Sequence, residues 1–445
     1  MPFFVRSLRH LIALGLTVSP VAAQAPATLT PERIEGVVRP LVARSDFFGA
    51  VAVTQSGRVV FSNTWGKADA PSARPFAPTA RFHLGPLSQQ FTAVLILDLA
   101  ADHYLTLDDS LSRWLPGIRW AGAVTIRELL GHQAGLPRDF PTYPDGSDRY
   151  PTDNDRYAWL STVPRVTGGT YTFSNIGYWL LAQVAARAGE APFAALLRDR
   201  LFDPNGLRTI DIDDGAHPIP DLVTEYEASG TNALTPARPR PLGGKLGASG
   251  MVASVAELAT WTGALHGGRI LPRPLLDAMV EGKWGALEDT TRGGHRAVGT
   301  AGSGPGYVAA VDWYPADRVT IVVLSNTRTG AADRLRDAIP AVLFGLPAPP
   351  ITLPAMGPAP QPSWLPDYVG EYIAPGGRRI VVAQTGTTLQ LAQGDDAPTD
   401  IYSLGSEAFF QRATYARIEF VRDAAGKVKQ LRWIRNGTTL EFTRP

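Results

Sequence analysis

The sequence predicts an α+β protein in which an antiparallel sheet is flanked by helices and followed by a small all-β domain. Strand-like segments lie at both ends of a long region whose middle carries helical patterning, as expected of one sheet closed by the two termini of a domain. A proline-rich stretch over 347–366, PAPPITLPAMGPAPQPSWLP, then places eight prolines in twenty residues. Proline fixes φ and removes the backbone donor, so this run predicts a stiff, extended linker. Beyond it, 367–445 divides into about eight short runs rich in β-branched and aromatic residues, a spacing that predicts a small barrel or sandwich.

The elements follow in order. Thr30-Pro31-Glu32-Arg33 offers a capping residue, proline at the first helical position and an early acid, which predicts a helix start. Phe48 to Thr54 and Arg58 to Ser62 form a hairpin pattern around Gln55-Ser56-Gly57. From Ser88 to Leu105 apolar residues recur at helical spacing, and Phe91, Val94, Leu95, Ile96, Leu97 and Leu99 are dense enough to predict burial on most sides. Tyr178 to Ala188 and Phe193 to Leu201 are further helices. Tyr307 to Trp313 and Val319 to Leu324 make a second hairpin across Pro315-Ala316-Asp317-Arg318. In the tail, Arg378 to Gln384, Thr387 to Ala392, Ala416 to Arg422, Val428 to Ile434 and Thr438 to Thr443 are strands punctuated by glycine pairs and turns.

Composition narrows the function classes. The chain has 445 residues, enough for two or three domains at roughly 100–200 each. Its 44% hydrophobic and 19% charged content suits a globular core. A net charge of +1, without a basic stripe, implies no nucleic-acid partner. The absence of cysteine excludes disulfides and thiol chemistry. Seven histidines without HExxH or His-x-His spacing argue against a zinc hydrolase, and no metal or cofactor is expected. Arg6 and Arg9, an apolar run from Leu11 to Val18 and Val21-Ala22-Ala23 have the pattern of a secretory leader over 1–23, cleaved after Ala23. The run is too short to span a bilayer of about 30 Å, so no lasting membrane anchor and a periplasmic or secreted location are expected.

Four segments in order carry a family resemblance: LTLDDSLSRWLPG (105–117), TIRELLGHQAGLP (125–137), GGTYTFSNIGYWLLAQV (168–184) and GHRAVGTAGSGPGY (294–307). From about Arg33 to Leu346 the chain resembles the serine β-lactamase-related and penicillin-binding-protein-like family, in the branch of class C β-lactamases, DD-peptidases and esterases. The tail resembles the lipocalin-like domain often appended to such proteins. The resemblance implies a β-lactamase/transpeptidase-like fold over 24–346, then the linker and the small β domain over 367–445. It also implies acyl transfer, in which a serine at the start of a buried helix is activated by a lysine one turn later and a Tyr-x-Asn tyrosine. A Lys/His-x-Gly strand lines the opposite wall. A serine hydroxyl is a weak nucleophile until such a base activates it.

At the positions the resemblance assigns to chemistry, the sequence departs. Gly85-Pro86-Leu87-Ser88-Gln89-Gln90-Phe91 puts Pro86 where the serine belongs and Gln89 where the lysine belongs. Phe173-Ser174-Asn175 keeps the asparagine but replaces the tyrosine, and Thr300-Ala301-Gly302 keeps the glycine but replaces the lysine or histidine. No catalytic set is intact, while Gly85, Ser88, Asn175, Gly302 and Ser303 are expected to line a retained cleft.

Other residues receive plainer roles. Ser88 lies two residues beyond Pro86, about 200° around a helix, and is expected to face away from Pro86 and to satisfy a backbone group instead of attacking a substrate. His132 is expected to be a structural hydrogen-bonding histidine and His295 a surface residue beside the third motif. Asp108 and Asp109 are expected to cap or solvate a turn. Ser174 is a packing or hydrogen-bonding neighbour of the second motif.

The sequence therefore predicts an exported, non-catalytic relative whose cleft binds a cell-wall peptide, a small carbonyl ligand or an envelope protein. Hydrolysis of an ester, amide or peptide bond by unrecognised residues is the alternative, and a purely structural role in an envelope complex is not separable from binding at this level.

Overall fold

The computed structural model describes residues 31–143, 147, 149–164, 168–229, 233–238, 243–350, 354–355, 357–358, 361–394 and 398–445. The leader expected over 1–23 lies outside the described residues. The fold class is as the sequence predicts: helices around an antiparallel sheet, then a closed all-β barrel.

The sheet has six antiparallel strands in the order Arg58–Trp65, Gly49–Gln55, Val319–Ser325, Tyr307–Tyr314, His295–Gly304, Glu288–Arg292. The first and last parts of the domain meet where Val51 pairs with Val323. Side chains alternate across a strand. Val51, Val53, Ile321 and Val323 accordingly pack on one face against Ile34, Val38, Leu335 and Ile339 of the helices Pro31–Val42 and Ala331–Leu343. Ala50, Ala52, Val322 and Leu324 turn to the other face, towards a core containing Phe91 and Trp261. Burial on both faces explains why these central strands read as nearly continuous apolar runs.

The buried helix predicted over Ser88–Leu105 spans Gln89–Ala101 and is preceded by a 3-10 turn, Gly85–Ser88. It stops earlier than the apolar spacing suggests because His103 adopts a left-handed φ of 62° while the Tyr104 amide bonds back to the Leu99 carbonyl. The helix predicted from Tyr178 begins at Asn175, since the Ser174 hydroxyl accepts from the Gly177 amide and caps it there. The Phe193–Leu201 helix is a short α turn, Phe193–Leu196, continued as a π turn over Leu197–Phe202.

The tail forms a closed eight-stranded barrel of consecutive antiparallel neighbours, from Gly370–Ile373 to Thr438–Thr443. Closure removes the free strand edges. Its interior is filled by Tyr372, Phe409, Phe420 and Leu431, and by Leu365 and Tyr368 of a short plug helix, Leu365–Tyr368. Leu365 thus packs with the barrel although it lies within the proline-rich stretch. The barrel docks on the first domain through buried Arg412. Its guanidinium donates to Asp46 Oδ1 at 2.5 Å and to the carbonyls of Ser45 and Ala233, both at 2.9 Å.

Candidate functional site

The centre of the site is a backbone contact between the 3-10 turn and the strand His295–Gly304. A Cβ on Gly302 would lie 2.2 Å from the Leu84 carbonyl oxygen and 2.9 Å from the Pro86 nitrogen, so only glycine permits this approach. Gly85 is held at φ +54°, with the Tyr307 hydroxyl 3.0 Å from where its Cβ would stand. Pro86 is stable within the turn because a first-turn amide has no intrahelical acceptor to lose. Thr300 lies on the same strand face as Gly302 and is fully buried; its hydroxyl has no hydrogen-bond partner among the described residues.

Gln89 joins a continuous hydrogen-bond chain. The Ser174 amide donates to His132 Nδ1 at 3.1 Å, which leaves Nε2–H to donate to Gln89 Oε1, also at 3.1 Å. Gln89 Nε2 donates to Asn175 Oδ1 at 3.3 Å, and Asn175 Nδ2 donates to Asp139 Oδ1 at 2.7 Å. Burial pushes the His132 pKa down to about 4, in keeping with the neutral ring this pattern requires. His132 is therefore the structural histidine its sequence context suggests. Phe173 lies over it, ring centres 4.7 Å apart, with the Arg138 guanidinium 5.1 Å from the Phe173 ring. Pro86, Gln89 and Phe173 thus surround one locus, and Thr300 lies in the strand behind the turn.

One expected cleft residue is corrected. Ser88 does not line the cleft: it is fully buried, and its hydroxyl accepts from the Met251 amide at 3.2 Å. Gly302 and Gly85 shape the cleft through backbone contact, whereas Asn175 and Ser303 line it directly. Ser174 donates to the Pro137 carbonyl at 2.6 Å. Asp109 closes a turn on the Thr106 amide and pairs with Arg113, while Asp108 pairs with Arg127. His295 pairs with Asp317 at 2.7 Å and stacks on Phe344 outside the cleft.

Pro86 and Arg138 stand between two depressions. One is a broad groove of about 1030 Å³ that includes Phe173, Tyr171 and Ala301. The other is a pocket of about 360 Å³ that includes Asn175, Ser303, Tyr307 and a charged group not evident in the sequence. There His83 Nδ1 bonds Glu225 Oε1 at 2.6 Å and Nε2 bonds Asp213 Oδ2 at 2.8 Å. Burial alone lowers the pKa of His83, but the two carboxylates outweigh it and hold the pKa up at about 9, so the ring is an imidazolium at neutral pH. With both nitrogens protonated and donating, it is not a base. Tyr171 is also absent from the sequence reading. It sets a phenol two residues from Phe173, edge-on to His132 at 5.5 Å, and its only signal was that alternate residues of an extended segment share a side. Among the described residues no group of three or more side chains is placed to ligate a metal.

Comparison with known proteins agrees with this geometry. The Beta-lactamase family model matches residues 34–345. A D-aminopeptidase of Brucella canis is 26% identical over 375 residues, covering 78% of this chain and 70% of the relative. Penicillin-binding protein 4* of Bacillus subtilis is 24% identical over 440 residues, covering 88% and 95%. The solved octameric penicillin-binding protein homologue from Pyrococcus abyssi matches in fold with a TM-score of 0.64 at 18% identity, covering 93% of this chain and all of that one.

Proposed function

The chain belongs to the beta-lactamase family, and from that premise we propose that it is a member that has lost acyl transfer and keeps its cleft to bind a ligand containing a D-amino acid. The observation that carries the loss is local. A proline side chain stands at the nucleophile position, and the residue at the lysine position is a neutral amide engaged on both sides, by His132 and Asn175. Ser88, two residues away, is buried and bonded to backbone. In a serine protease, losing the nucleophile alone costs on the order of 10⁶ in kcat. The ligand class follows from the relatives, among them a D-aminopeptidase, together with the open pocket beside Pro86. The proposal includes export directed by residues 1–23, which N-terminal sequencing of the mature protein tests.

The test of lost chemistry is covalent. The purified protein is incubated with a fluorescent penicillin and with a fluorophosphonate, and hydrolysis of D-phenylalanine amide is followed in parallel. No labelling and no turnover are expected. Labelling mapped to any serine, or turnover by the unaltered protein, overturns the reading. The combined substitution Pro86→Ser, Gln89→Lys, Phe173→Tyr and Thr300→His is expected to regain labelling.

A further inference from the structure

We propose that a second pocket, between the helix Arg273–Glu281 and the far ends of the sheet strands, binds a neutral sugar through His266 and Trp313. It is a different site from the pocket beside Pro86 and does not depend on the function proposed for that cleft.

The pocket has a volume of about 350 Å³, within the range of small-molecule sites. Val298 in its floor lies four residues from Gly302 on the same strand, about 13 Å away at 3.3 Å per residue. Asp289, Val298 and Trp313 are direct cross-strand neighbours on three adjacent strands, so their side chains share one sheet face. The helix Arg273–Glu281 lies over that row and lines the pocket with one stripe, residues three and four apart from Arg273 to Glu281. Glu281 and Asp289 also border the broad groove, whereas His266, Trp313 and Pro315 line this pocket and neither of the two depressions beside Pro86.

His266 is the observation that points to a ligand. It ends the helix Val255–His266, is only 8% exposed, and lines the pocket. Among the described residues no group hydrogen-bonds its ring, whose neighbour is Trp313, 6.0 Å between centres and 7° from parallel. Burial, and then the charge of Arg273, push its pKa down to about 4, so the ring is neutral. A neutral imidazole has one N–H donor and one bare nitrogen acceptor. Buried polar groups are nearly always partnered, and this one faces a pocket that can hold the partner. A hydroxyl both donates and accepts, so it serves whichever nitrogen it meets.

The rest of the wall selects a neutral ligand with many hydroxyls. Arg273 pairs with Asp277 at 2.9 Å, and Arg296 pairs with Asp289 through Nε at 2.9 Å and Nη2 at 2.7 Å. A cation would stand beside these two guanidiniums, and an anion beside three carboxylates, Glu281 included. A neutral ligand leaves both pairs intact. It can use Nη1 of Arg296 and both Nη atoms of Arg273, which donate to nothing among the described residues, and the oxygens of exposed Glu281. These groups surround an apolar strip of Val280, Val298 and partly buried Trp313. A pyranose has the matching form, with hydroxyls around its edge and C–H groups on its faces. The negative π-face of an indole attracts such C–H groups.

The experiment is isothermal titration of the full chain at pH 7 with D-glucose and D-galactose, each beside its 2-amino and its uronate counterpart, and with phenol, which can stack but offers a single hydroxyl. At least one neutral sugar is expected to bind at millimolar concentration, at least about ten-fold more tightly than its charged counterparts or phenol. His266→Phe keeps a ring against Trp313 and removes both nitrogens. It should weaken that binding at least about ten-fold without lowering the unfolding temperature, since no hydrogen bond within the protein is lost. Arg273→Gln, at an exposed position, provides the same readout if His266→Phe does not fold. Failure of both neutral sugars to bind, equal or tighter binding of a charged counterpart or of phenol, or unchanged binding in the variant would overturn the proposal. Covalent labelling at the cleft would leave these readouts untouched, so the two proposals fail separately.

Discussion

The His83 group gives the structure a measurable pH signature, and replacing His83 with glutamine should remove it. His83 is mostly buried and its two ring nitrogens donate to Glu225 and Asp213, so its pKa is raised from 6.5 to about 9 in the folded protein. At about 1.4 kcal/mol per pH unit, that displacement corresponds to about 3 kcal/mol of stability. A raised folded pKa places the contribution below pH 6.5, where both states are protonated and the ion pairs are intact. Stability is lost as pH rises through the window from 6.5 to about 9. Glu225 of the same group is itself raised above its ordinary value, because burial outweighs the pull of His83. His132 and His266 are lowered to about 4 by burial, so they oppose folding only as pH falls below 6.5, and Asp213, held below its ordinary value by His83, acts in the acid range. Urea unfolding of wild type and His83→Gln from about pH 6 to about pH 10 isolates the effect. The stability difference should be largest near pH 6 and shrink by about 3 kcal/mol by pH 10. A difference that stays flat across this range refutes an imidazolium shared by two carboxylates.

Two further substitutions test how the domain and the site are held. Arg412→Met should destabilise the chain by up to about 3–5 kcal/mol, because it removes the buried partner of the Asp46 carboxylate and leaves it only the more exposed Arg44 at 3.4 Å. Hydrogen exchange should then accelerate in the Tyr226–Ser229 and Ala233–Pro236 hairpin, whose Ala233 carbonyl Arg412 holds, and not in Gln89–Ala101. Gln89→Lys alone should cost about 1–3 kcal/mol, read by thermal unfolding, because an ammonium cannot accept the His132 Nε2 proton and leaves a buried donor unpaired. Wild-type stability in that variant would show that the amide chain does not constrain the site.

The parts of the fold that were legible from sequence are those set by local patterning. Alternation and turn residues placed Arg58, Ala416, Arg422, Thr438 and Thr443 at strand ends where the structure has them. Helix ends were less legible because they depend on single backbone events, such as the left-handed His103 or the Ser174 cap. In the site, short motifs fixed Pro86, Gln89 and Phe173 around one locus because a turn, a helix and a capped segment each carry their residues as a unit. The His83 group was not legible: its partners lie 130 and 142 residues away, and nothing local marks a histidine that will meet two carboxylates. Ser88 illustrates the same limit. Its rotation away from Pro86 followed from helix geometry, but the Met251 amide that engages it, 163 residues on, comes only from the tertiary fold.

The altered positions behave differently from the retained ones, and the difference bears on function. Gln89 can both accept and donate, so it closes a chain from the Ser174 backbone amide through the side chains of His132 and Asn175 to Asp139. His132, Gln89 and Asn175 within it are neutral and engaged with one another, so they hold shape and offer no base to a nucleophile. The pocket on the other side of Pro86 is the reverse case. Arg138, Arg238 and Lys245 bring positive charge to its wall and Asp139, Asp213 and Glu225 bring carboxyl groups, several of them partly open. Charge at a pocket wall carries a solvation cost that a complementary ligand removes. Interior amides made self-sufficient, beside a pocket lined by partly open charged groups, are what a protein needs in order to hold a ligand without breaking it.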